Sequence, residues 1–128
     1  MKRDMDLIRE LLLKLESMEL PRGAIMHFNP DDKEVQIEGH SPDEIEYHAK
    51  LLTEAGLIEP GRGAMQGFMF RSLTWEGHDF ADSIRNTEVW DKTKKGAIAA
   101  GGFTVDLLKD LAKGFIKKQI EDRTGIKL

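Results

Sequence analysis

The 128-residue sequence contains no cysteine, which removes disulfides, thiolate catalysis and the common structural zinc sites and fits a reducing compartment. It has no run of 18 or more apolar residues, so no segment reads as a transmembrane helix. Its first ten positions mix Lys2, Arg3, Asp4, Asp6, Arg9 and Glu10 and leave no uncharged core for a signal peptide. These absences predict a cytoplasmic protein stabilised by packing alone. An apolar content of 40% over this length supplies one hydrophobic core but not two comfortable ones, which predicts a single domain with appendages.

Catalytic spacing is scarce as well. Four histidines are scattered among many carboxylates, and no His-Glu-x-x-His pattern occurs. Glu76, His78 and Asp79 are close in sequence, but neighbouring positions diverge on a helix. Glu76 and Gly77 therefore read as shaping a helix start, with His78 packing or hydrogen-bonding locally. His40 and His48 read as structural or exposed rather than as ligands. No catalytic residue, metal site, cofactor or small-molecule ligand is assigned, and the expectation is a non-enzymatic protein.

What the chain does have is a charge division. The net charge is -4, yet residues 1–90 hold 10 basic and 18 acidic side chains, whereas residues 91–128 hold 9 basic and 5 acidic. A basic tail after an acidic body suits contact with nucleic acid, a membrane surface or the acidic body of a second copy; the alternative is a solvated helix face.

Apolar positions Met5, Ile8, Leu11, Leu12 and Leu15 fall on one stripe and predict a helix over residues 4–17, stopped by Pro21 and Gly23. Short strands are expected at 24–28 and 34–38, paired as a hairpin around Asn29-Pro30-Asp31-Asp32, with Val35 and Ile37 alternating against polar neighbours. Ser41-Pro42-Asp43-Glu44 is a capping box with proline in the first turn, and Gly56 followed by Leu57 is a helix stop, so a helix should occupy 42–55. Residues 59–67 contain one proline and three glycines and read as a loop, and 68–73 as a strand of a wing hairpin whose inner face Met65 and Met69 line.

Thr74 is placed to cap the next helix, with Phe80, Ala81 and Ile84 inward and Trp75 packing the wing onto it. Asn86-Thr87 should interrupt that helix, after which Trp90 anchors a short turn towards Lys95. The Gly/Ala-rich stretch 96–102 reads as a joint. A terminal amphipathic helix over 104–122 then carries Leu107, Leu108, Leu111 and Phe115 on one face and Lys109, Lys113 and Lys117 on another. Its cover is left open among the chain's first helix, a second subunit, a foreign partner and lipid.

Capped helix, loop, strand, helix is the order of a winged helix. The sequence therefore predicts an α+β protein: a winged helix-turn-helix-like domain at 1–95 with an N-terminal helix and a small β-hairpin wing, the joint, and the appended helix at 103–128. The stretches Met1-Lys2-Arg3-Asp4-Met5-Asp6-Leu7-Ile8-Arg9, Ile45-Glu46-Tyr47-His48, Ala55-Gly56-Leu57-Ile58 and Leu73-Thr74-Trp75-Glu76-Gly77-His78-Asp79-Phe80 occur in that order. They resemble the bacterial and prophage family catalogued as domain of unknown function 2513. The resemblance implies a winged helix and a phage or prophage setting, and brings no catalytic residues.

A winged helix usually suggests DNA binding, through Tyr47, His48 and Lys50 on the helix 42–55 and Arg62 and Arg71 in the wing. That helix also exposes Asp43, Glu44, Glu46 and Glu54, whereas affinity for DNA comes largely from basic side chains. The favoured expectation is a protein-interaction or regulatory module that self-associates, as a homodimer, through Leu108, Leu111, Phe115, Lys109, Lys113 and Lys117. A DNA-binding transcriptional regulator is the alternative.

Overall fold

The computed structural model describes residues 1–60, 67–99, 101, 102 and 104–128. Asp4 starts the fold: its carboxylate accepts the backbone N–H of Asp6 (2.9 Å) and Leu7 (3.3 Å), two donors that a helix start leaves unpaired. The helix it caps, α1 (Met5–Glu16), buries the expected stripe and Leu7 with it. Each such aliphatic side chain contributes about 1.5–3 kcal/mol when fully removed from water.

Strand β1 (Met26–Phe28) follows, but the expected hairpin does not form. Residues 33–35 make one 3₁₀ turn instead of a second strand, and Val35 and Ile37 are buried nonetheless. Local side chains satisfy this backbone: Asp32 accepts the N–H of Asn29 (2.8 Å), and the Gln36 amide donates to the carbonyls of Pro30 (3.0 Å) and Asp32 (3.1 Å). Side-chain bonds of this kind compete with a strand ladder.

Helix α2 (Pro42–Glu54) carries both halves of the capping box: Ser41 Oγ accepts the N–H of Glu44, and Glu44 accepts the N–H of Ser41, each at 3.2 Å. Such a box contributes about 1 kcal/mol. Gly56, at φ +72°, closes the helix, with Leu57 donating to Leu52 (3.0 Å) and Gly56 to Thr53 (3.0 Å). Leu57 is thereby turned inward and buried. Strands β2 (Ile58–Pro60) and β3 (Phe68–Leu73) pair antiparallel, with an irregularity between Ile58 and Pro60. β3 also pairs antiparallel with β1, Phe28 opposite Phe68 and Met26 opposite Phe70. The sheet order is therefore β1-β3-β2, with α1 and α2 packed on each other and on the sheet.

Thr74 joins β3 to α3 (Trp75–Ile84), accepting the N–H of Gly77 (3.0 Å) and donating its hydroxyl to the carbonyl of Gly56 (2.5 Å). Phe80, Ala81 and Ile84 are buried as expected, but Trp75 is 80% exposed and does not take the packing role expected of it.

Residues 87–99 form a full helix, α4 (Thr87–Ala99), where only a short turn to Lys95 was expected. Asn86 does interrupt the chain after α3, yet its Oδ1 also accepts the N–H of Val89 (3.1 Å) and begins the next helix. Trp90 is buried as expected. The stretch read as a joint is helical through Ala99, and the turn follows at Gly101 and Gly102, whose N–H groups donate to Ile98 (3.1 Å) and Ala97 (3.0 Å). Thr104 then caps α5 (Val105–Thr124) by accepting from Leu107 (3.1 Å). α4 and α5 pack against each other as a helical hairpin. The described chain divides into two compact units, Met1–Asp79 and Phe80–Leu128. No helix among the described residues is long and apolar enough to cross a membrane.

Candidate functional site

On α2, positions 43, 47, 50 and 54 recur at helical spacing and form one stripe: Asp43, Lys50 and Glu54 are exposed and Tyr47 half-buried. His48 is not part of it. Its ring is fully buried, with Nε2 accepting the N–H of Asp4 (2.8 Å) and Nδ1 bonded to the carbonyl of Glu44 (2.7 Å). Those partners fix the neutral tautomer with the proton on Nδ1. The Tyr47 ring meets it edge-on at 5.6 Å. His48 ties the start of α1 to α2 and is unavailable to DNA, which corrects its assignment as a contact residue.

Two acids of α2 are committed to the fold. Glu46 accepts the N–H of Gly67 (2.7 Å) and fixes the start of β3. A side chain at Gly67 would place its Cβ 2.0 Å from the carbonyl oxygen of Phe28, so only glycine fits this approach. Glu44 lies 3.1 Å from Nδ1 of His40; that hydrogen bond, reinforced by the Ser41 N–H, holds its carboxyl below the ordinary value of 4.5. Arg71 on β3 is exposed. Arg62 and Met65 lie outside the described residues, and Met69 is half-buried. Of the five residues assigned to DNA, Lys50 and Arg71 are exposed and Tyr47 is partly accessible.

The set assigned to the terminal helix separates into two groups. Leu108 is fully buried, as is Ala112, and a δ carbon of Leu111 would lie 3.3 Å from a Cβ built on Gly96 of α4. These residues face the hairpin partner α4, so Leu108 is core and not a docking residue, and cover for this part of the stripe comes from the same chain. Leu111, Phe115 and Lys109 are half-buried, whereas Lys113 and Lys117 are exposed. Ile120 near the end of α5, and Ile126 and Leu128 after it, are 36%, 58% and 67% exposed.

Sequence reasoning missed the exposed indole. Trp75 heads α3, one turn before the exposed Asp79 and next to the exposed Glu76. The Thr74–Gly56 hydrogen bond sets this helix start against the turn that follows Glu54. No group of three or more metal-binding side chains clusters among the described residues.

Helices packed on a small antiparallel sheet, followed by a helical hairpin, define an α+β protein. Residues 2–103 match the family described as "Hypothetical protein (DUF2513)", and the chain belongs to that family. It is also similar to a Haemophilus influenzae protein described as "Uncharacterized protein", with 36% identity over 124 residues that cover 94% of this chain and 99% of that protein. No solved structure matches it at a significant level. The family match ends just before α5.

Proposed function

We propose that the chain is a non-enzymatic winged-helix module that works by protein contact, in a regulatory role, and self-associates through its C-terminal helix. The order α1, β1, α2, β2, β3 with sheet order β1-β3-β2 supports the winged-helix reading. In that reading α2 is the helix that would enter a DNA groove. The observation that carries protein contact over DNA is the outward stripe of α2: two carboxylates, one half-buried tyrosine and a single lysine, with His48 turned inward. Such a face opposes a phosphate backbone instead of neutralising it.

Lys50 and Arg71 are the exposed cations on which a DNA-binding reading would rest. Anisotropy titration of the full chain against mixed duplex DNA tests between them. The proposal expects no saturable binding at about 50 mM salt, where electrostatic binding is strong. Saturable binding with a steep salt slope, reduced by Lys50→Ala and Arg71→Ala, would put DNA recognition in its place.

A further inference from the structure

Self-association leaves open which surfaces meet, and charge separates the two simplest arrangements. Pairing α5 with a second α5 sets like charges together, since residues 117–128 hold four basic side chains and two acidic ones. Residues 1–79 hold 9 basic and 16 acidic side chains, a complementary target for that segment. Within that unit, the place where an acidic surface also offers an apolar anchor is the start of α3. Trp75 is 80% exposed there, with Glu76 and Asp79 on its own helix and Glu54 at the adjoining turn. Among the described residues none of these three carboxylates has an ion-pair partner.

The segment 117–128, the end of α5 and the residues after it, has matching chemistry: Ile120, Ile126 and Leu128 exposed among Lys117, Lys118, Arg123 and Lys127. We propose that the segment 117–128 of one copy docks on the Trp75 surface of a second copy, apolar side chains covering the indole and lysines facing Glu54, Glu76 and Asp79. Tryptophan is a frequent centre of such contacts because it buries a large area at small entropic cost. Two reciprocal contacts of this kind close a two-fold dimer. The inference rests on the proposed self-association and names its two faces.

The full chain tests it through its own fluorescence. Trp90 is 3% exposed and Trp75 80%, so acrylamide quenching reports mainly on Trp75, and Trp75→Phe identifies its share. Light scattering on the same samples gives the mass. The expected result is a doubling of mass with rising concentration, accompanied by a blue shift and loss of quenching that Trp75→Phe abolishes. Lys117→Glu with Lys118→Glu should weaken association about tenfold, as should Glu76→Lys with Asp79→Lys, and combining the four should restore it. Doubling of mass with Trp75 still fully quenched, or additive losses in the combined variant, overturns the docking surface and leaves self-association through another face. A chain that stays monomeric at every concentration overturns both readings.

Discussion

Gly77 is set by the turn it faces. A Cβ there would lie 1.9 Å from the carbonyl oxygen of Leu57, inside the close approach between the α2–β2 turn and α3. Gly77→Ala should destabilise the protein by about 1–3 kcal/mol, the ordinary cost of forced overpacking, seen as a lower urea midpoint. His48→Phe keeps the ring volume but removes the acceptor for Asp4 and the donor to Glu44. It should cost about 1–3 kcal/mol in the same measurement. Glu44 gives a pH signature with a definite sign. Its carboxyl is held below 4.5 in the folded chain, so its contribution is complete above the unfolded value and disappears as pH falls through the lowered one. The stability difference between the wild type and Glu44→Gln should therefore shrink as pH is lowered from 6 towards about 3. Trp75 was readable at this scale: Ile84 lies nine positions further on, about half a turn away around the helix, so both cannot face the same core. The bulk of the indole suggested a core role that the helical spacing contradicts.

Elements bounded by their own side-chain chemistry were legible in the sequence. Asp4, Ser41-Pro42-Asp43-Glu44, Gly56 and Thr74 set the observed ends of α1, α2 and α3 through hydrogen bonds a few residues long. Elements defined by distant partners were not. β1 finds β3 some forty residues later, and Val35 and Ile37 acquire strand-like burial in a segment that is not a strand. In α4 the glycine and alanine content masked the pattern Val89, Trp90, Thr93, Ala97, which is buried at helical spacing. Small residues serve there as the seat of α5, as the contact between Gly96 and Leu111 shows. Leu108 supplies the check: Leu108→Ala should cost about 2–5 kcal/mol of stability, by urea unfolding of the monomer at low protein concentration. An unchanged midpoint would mean that Leu108 is not core.

At the scale of the molecule, the charge division follows the two units. Residues 80–128 hold 10 basic and 7 acidic side chains against 9 and 16 in residues 1–79. The sequence showed this asymmetry but not how the terminal stripe is shared: its first half is consumed by α4, and only its end is left exposed. Contact between copies that depends on these charges should weaken as salt shortens their reach. The most direct test of the account is the mass of the full chain by light scattering across a salt series at fixed protein concentration. Self-association through these charges gives a mass near twice 14.5 kDa at low salt, falling towards 14.5 kDa as salt rises. A mass of 14.5 kDa at every salt concentration, up to the highest protein concentration reached, would contradict it.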